Sequence, residues 1–220
     1  MVNSLLSVVI PTLNAAHTLP ACLTSLAPGQ HLIGEIIIVD GGSRDETLRY
    51  AGTAKIIHAP PGRGGQLRAG IAAASGAWLM LLHADTQLST NWPEAVAGLG
   101  AAEAGYFRLK FISRHPMARL IERGAALRCL LFKLPYGDQG LVISQNLLAQ
   151  GGGMPDLPLM EDVALVRRLR RFLRPLPAAA NTSAERYERG GWVRRPLKNL
   201  FCLALYFLGV PPAKIKRLYG

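Results

Sequence analysis

The chain's first hundred residues predict an α/β fold built on a mostly parallel central sheet flanked by helices. Short β-branched runs alternate with helix-patterned segments, and those runs are apolar at nearly every position, as strands covered on both faces are. Each run also exits into a polar or glycine-rich loop, where open parallel sheets bind their ligands.

The first strand is expected at 6–10, exiting through Pro11-Thr12-Leu13-Asn14, with Asn14 as candidate cap of a helix over 15–26. A second, 35–39, exits through Asp40-Gly41-Gly42-Ser43-Arg44-Asp45, with Ser43 as candidate cap of a helix over 45–53. The third, 55–58, is followed by Pro60-Pro61-Gly62-Arg63-Gly64-Gly65-Gln66 and a helix over 65–75. The fourth, 78–82, leads into His83-Ala84-Asp85-Thr86, and Thr90 is the candidate cap of a helix over 91–99. All four exits are expected to line one crevice. Beyond residue 100 the pattern loosens to a strand at 105–111, a helix at 116–128 and a Gly/Pro-rich stretch at 135–158. Glu161-Asp162 then opens a helix expected to carry Leu165, Val166, Leu169, Phe172 and Leu173 on one face.

Composition excludes several classes. With 220 residues, 50% hydrophobic and 18% charged, the chain can bury one substantial core, so disorder is excluded. One domain, 1–220, is expected, with a ligand-binding half at 1–100 and an acceptor half at 101–220. The formal charge of +11 resides in residues 167–220, which hold thirteen Lys and Arg against Glu185 and Glu188. Such a block suits an anionic lipid surface, nucleic acid or a phosphorylated substrate, or is simply a solvated face; no nucleic-acid module accompanies it. Cys22, Cys129 and Cys202 lack metal or disulfide spacing, which fits a reducing cytoplasm. No basic leader opens the sequence at Met1–Leu6, and the apolar run at 200–210 is too short to span a bilayer.

The chemistry is carried by acidic residues at strand exits. Asp40 can accept hydrogen bonds from a nucleobase or ribose, or cap its own loop. Asp85 is a hard oxygen donor suited to Mg²⁺ or Mn²⁺ beside a diphosphate. His83, two residues earlier, is either a second ligand, favouring Mn²⁺, or a histidine hydrogen-bonded at the strand end. The stretch from Gly62 to Gln66 offers backbone N–H groups and the Arg63 guanidinium to phosphate, although it is neither a P-loop nor GxGxxG. Asp162 can take a proton from an attacking hydroxyl, or, with Glu161, merely favour a helix start. Asp138 and Gln139 lie in a Gly-flanked turn, as ligand contacts or as a structural turn.

Taken in order, Val9 to Asn14, Ile38 to Thr47, Gly62 to Gly70, Leu82 to Asp85 and Glu161-Asp162 resemble the family 2 glycosyltransferases of GT-A (Rossmann-like) fold. The resemblance implies a nucleotide-sugar donor held along Pro11, Thr12, Leu13, Asn14, Asp40, Gly41, Ser43, Arg63, Gln66, Ala84 and Asp85. It also implies a metal at Asp85 and a base at Asp162 deprotonating an acceptor hydroxyl in an inverting transfer. Glu161, Asp138, Gln139 and Arg186, the last in an Arg-Tyr pair after Thr182-Ser183, would meet acceptor or donor sugar. His83 departs from the family's Asp-x-Asp pattern. Leu82 to Thr86, Tyr136 to Gly140 and the short length resemble a bacterial branch associated with radical-SAM proteins and arsenosugar biosynthesis. Two other classes remain: a sugar nucleotidyltransferase, disfavoured because Pro11 to Asn14 has no glycine, and a non-enzymatic membrane or nucleic-acid binder acting through the basic segment.

Overall fold

A computed structural model describes residues 5–219; Met1–Ser4, part of the stretch read above as lacking a leader, lie outside the described residues. Four strands form the first half of an eight-stranded sheet: β1 (Leu6–Thr12), β2 (Ile33–Asp40), β3 (Lys55–His58) and β4 (Trp78–Leu81). They run parallel in the order β3-β2-β1-β4. Adjacent residues in each strand serve opposite faces. Val8, Ile10, Ile38, Met80 and Leu82 join one buried cluster, while Val9, Ile37, Val39, Leu79 and Leu81 join another. A sheet buried on both faces accounts for the unbroken apolar runs.

The helices start later or run differently than local signals suggest. Asn14 is no cap: its φ is +52°, and helix α1 begins only at Leu19 (Leu19–Thr24). Ser43 caps nothing either, because Asp45 accepts from the Thr47 N–H and opens a 3-10 turn over Glu46–Ala51. Helix α2 spans Arg63–Ala73, two residues earlier than expected. It lies close on the sheet because Gly70 has no side chain; a Cβ there would sit 2.3 Å from Val9 Cγ1 and 2.8 Å from Val39 Cγ2. Asn91, not Thr90, precedes α3 (Trp92–Ala97), without a side-chain capping bond.

The sheet's other half comprises β5 (Thr86–Leu88), β6 (Ala104–Ile112), β7 (Leu141–Ser144) and β8 (Leu173–Ser183), extending the order as β4-β7-β6-β8-β5. Strand β7 pairs antiparallel with β4 and β6, and β5 antiparallel with β8, whereas β6 and β8 are parallel. The sheet is therefore mixed although mostly parallel. Helix α4 (Pro116–Phe132) ends at Lys133 in the left-handed region, α5 spans Gln145–Gln150, and α6 is only Glu161–Arg168. Phe172 and Leu173 consequently leave the helical face assigned to them: Leu173 opens β8 and Phe172 is 40% exposed. The basic end folds into α7 (Glu185–Gly190), α8 (Arg194–Phe207) and α9 (Pro212–Tyr219). Among the described residues no helix is long and apolar enough to cross a membrane.

Candidate active site

A cavity of about 530 Å³ opens where β1, β4 and the N-termini of α2 and α6 converge. That is ample for a small-molecule ligand. Its walls include Thr12, Asn14, Arg63, Asp85, Asp138 and Asp162, with Glu161 and Arg186 alongside. Pro11, Leu13, Gln66, His83 and Ala84 from the expected set also line it.

Asp40, Gly41 and Ser43 do not. Asp40 is 1% exposed and turned into its own loop, accepting from the N–H groups of Gly42 and Ser43 at 2.9 Å and from both the Thr12 and Ser43 hydroxyls. Burial pushes its carboxyl up, but these four bonds outweigh that and hold it below the ordinary carboxylate value. Asp40 thus acts one bond behind the cavity, fixing Thr12. Asn14 braces the same loop, its N–H donating to Ser43 Oγ and its Oδ1 accepting from the Arg44 N–H, both at 2.9 Å. The Gln66 amide joins two strand ends by donating to the carbonyls of Thr12 (2.8 Å) and Val39 (2.7 Å).

Arg63 occupies the centre. As the first residue of α2 it reaches across to the start of α6, where its Nε pairs with Glu161 and its Nη2 lies 2.8 Å from Asp162 Oδ2. Met160, at φ +64°, sets the entry into α6; a non-glycine residue there is strained, and the turn aims two adjacent carboxylates at one guanidinium. Asp162 also accepts from the Gly137 N–H and the Val163 N–H, both at 2.8 Å. Burial raises its proton affinity, yet Arg63 and these bonds prevail and keep its carboxyl below the ordinary range.

His83 Nε2 stands 3.0 Å from Arg63 Nη1. A guanidinium only donates, so that nitrogen must be the acceptor and Nδ1 carries the hydrogen. Burial, then Arg63, lowers the imidazole to about 4, which keeps it neutral. While Arg63 holds Nε2 and Nδ1 carries the hydrogen, His83 presents no lone pair to a cation; it could serve as a ligand only if Arg63 turned away. Asp85 remains. Its Oδ1 is buried without a hydrogen-bond partner, 3.8 Å from His83 Nδ1. Among the described residues no group of three or more His, Cys, Asp or Glu side chains could enclose an ion. An oxygen-preferring cation would therefore need ligand oxygens beside Asp85, as a diphosphate supplies.

Asp138 and Gln139, adjacent in sequence, part company. Gln139 is 2% exposed and lines no cavity: its Oε1 accepts from Arg128, Cys129 and the Tyr136 N–H, and its Nε2 donates to the Phe107 carbonyl. It holds the turn together and is withdrawn as a sugar contact. Asp138 faces the cavity, with Oδ1 buried and unpartnered. Burial, reinforced by Asp162 and Asp85 and opposed by Arg128 and Arg63, pushes its carboxyl up to about 6. Sequence reading missed Arg195, Asn199 and Tyr219, which bring α8 and α9 to the cavity wall. Their only sequence signal was the basic, aromatic character of the segment.

Residues 7–107 match the family model described as Glycosyl transferase family 2. A PGL/p-HBAD biosynthesis glycosyltransferase of Mycobacterium bovis is 41% identical over 97 residues, 40% of this chain and 38% of that protein. An uncharacterized glycosyltransferase of the same species is 30% identical over 103 residues, 45% of each chain. The chain thus spans less than half the length of these curated relatives. Glucosyl-3-phosphoglycerate synthase from Mycobacterium tuberculosis, crystallised with Mn²⁺, UDP and glucosyl-3-phosphoglycerate, superposes with a TM-score of 0.61 at 22% identity, over 95% of this chain and 81% of that one. The 1-349 fragment of S. aureus TarS gives a TM-score of 0.58 at 17% identity, over 80% and 60%. Residues 7–107 accordingly carry the glycosyl transferase family 2 signature, on a sheet laid out as in the GT-A glycosyltransferases.

Proposed function

We propose that the chain transfers a sugar from a nucleoside-diphosphate donor to an acceptor hydroxyl, inverting the anomeric centre. The observation that supports this most is the meeting of Asp85, Arg63 and Asp162 around one cavity, a cation site, a phosphate-seeking guanidinium and a base within a single ligand's reach. A structural neighbour crystallised with UDP-glucose and Mn²⁺ agrees with that donor class. Asp85, with its unpartnered oxygen, would hold Mn²⁺ or Mg²⁺ together with the donor's phosphates, and such an ion neutralises the departing diphosphate.

Arg63 gives the sequence of events. Its guanidinium is shared among Glu161, Asp162 and His83. A diphosphate competes for the same planar fork, and as Arg63 turns toward it Asp162 loses its strongest stabilising charge. The proton affinity of Asp162 rises, and it accepts the acceptor's hydroxyl proton. Donor binding therefore prepares the base.

One observation favours a second reading, in which Asp138 takes that proton. Its carboxyl sits at about 6, nearer neutrality than Asp162, and its free oxygen faces the cavity. Asp162 would then only position Arg63. Thermal stabilisation by UDP-, GDP- and TDP-sugars, with and without Mn²⁺, tests the donor class; no stabilisation by any of them removes the proposal. The likeness to the bacterial branch associated with radical-SAM proteins and arsenosugar biosynthesis fixes neither sugar nor acceptor, and a screen of hydroxyl acceptors with the stabilising donor would decide them.

A further inference from the structure

Helix α8 carries a second apolar face, turned away from the core. Leu197, Leu200, Phe201 and Phe207 share one face, continued by Leu208, and are 60, 58, 57, 51 and 80% exposed. The inward face carries the buried Cys202 and the core-packed Leu203 and Tyr206, with Arg195 and Asn199 at the cavity wall. An apolar stripe of five large side chains in solvent marks a surface that meets a partner.

Charge identifies the partner. Arg194 and Lys198 lie on α8 itself and Lys214, Lys216 and Arg217 on α9, which packs against it, within a segment holding the whole +11 excess. The segment's two acidic residues are engaged elsewhere, Glu185 with Arg189 and His17, and Glu188 with the Ser113 hydroxyl. Two copies stacked stripe to stripe would bring like charges together. An anionic bilayer satisfies both features, taking the leucines and phenylalanines into the headgroup boundary and the cations onto lipid phosphates. Helix α4 repeats the pattern with Leu127, Leu130, Leu131 and Phe132 exposed, and His115 at its start stacks on Trp192 just before α8, ring centroids 4.7 Å apart.

We propose that α8 seats the protein on an anionic lipid bilayer, so that a hydroxyl acceptor carried by an amphiphile reaches the cavity past Arg195 and Asn199. The acceptor class rests on the transferase reading; the seating does not.

Co-flotation of the full chain with vesicles tests it, comparing pure phosphatidylcholine with mixtures containing phosphatidylglycerol. Binding is expected only to the anionic vesicles, falling about tenfold or more at high salt and in the double variant Leu200→Glu, Phe201→Glu. Donor-induced thermal stabilisation of that variant should match wild type, showing an intact fold. Absence of flotation at low salt overturns the seating, as does a wild-type dimer in vesicle-free sedimentation that the variant dissolves. Flotation without any donor-induced stabilisation leaves the seating standing and removes the transferase reading instead.

Discussion

Arg63 Nη2 and Asp162 Oδ2 stand 2.8 Å apart, joining the start of α2 to the start of α6 in the cavity wall. This contact ties the phosphate-seeking group to the candidate base, and the behaviour of variants should follow from it.

Asp162→Asn keeps one acceptor oxygen, enough for Gly137 or Val163 but not both, and removes the proton acceptor. Donor-induced thermal stabilisation should remain within a few degrees of wild type, while turnover falls about 10²- to 10⁴-fold. Wild-type turnover in this variant would transfer the role to Asp138, whose Asn variant should then be the inactive one.

Arg63→Ala leaves Glu161, 2% exposed, beside Asp162 with no cation. Urea denaturation should show a loss of about 3 kcal/mol, the usual cost of orphaning a buried ion partner. Adding Glu161→Gln should recover much of it.

The Asp138 carboxyl is pushed up to about 6 from 3.8, chiefly by burial, so the fold binds its proton more tightly than the unfolded chain does. The stability this confers is complete below the unfolded value and is lost as pH rises through about 6. Asp138→Asn should therefore raise Tm relative to wild type at pH 7.5, with the difference shrinking toward pH 4 in a calorimetric series.

Asp85→Asn should abolish the Mn²⁺ dependence of donor-induced stabilisation. His83→Gln, which retains an acceptor for Arg63, should preserve it. The opposite pair of results would restore the imidazole as a ligand.

Gly70→Ala drives a methyl into Val9 and Val39, where contacts of 2.3 and 2.8 Å leave no room. Overpacking of this kind costs about 1–3 kcal/mol, measurable as a lower urea midpoint with the donor response retained.

Strands β1, β4 and the end of β2 announce themselves because parallel strands buried on both faces need apolar side chains at nearly every position, whereas the mostly exposed edge strand β3 shows only Ile56-Ile57; the strand exits then place Thr12, Arg63 and Asp85 with little further information. Strand β8 gave no such sign. Its Pro175, Pro177 and three consecutive alanines, Ala178 to Ala180, have little strand preference, and only pairing with β6 and β5 makes them extended. Gln139 reads as a polar turn residue; its burial follows from four partners brought by α4, β6 and the turn itself. The role of His83 depended on a contact with Arg63, and no pattern along the chain reports which side of an imidazole a guanidinium will take.

Strand β8 also decides when the molecule becomes competent. The Ser183 N–H donates to the Asp85 carbonyl at 3.1 Å, and the Thr86 and Thr182 hydroxyls meet at 3.0 Å, so the loop bearing Asp85 is clamped by residues made about a hundred positions later. Contacts of such long sequence separation form late. During synthesis the first half can condense around β1 to β4, yet Asp85 stays unanchored until β8 leaves the ribosome.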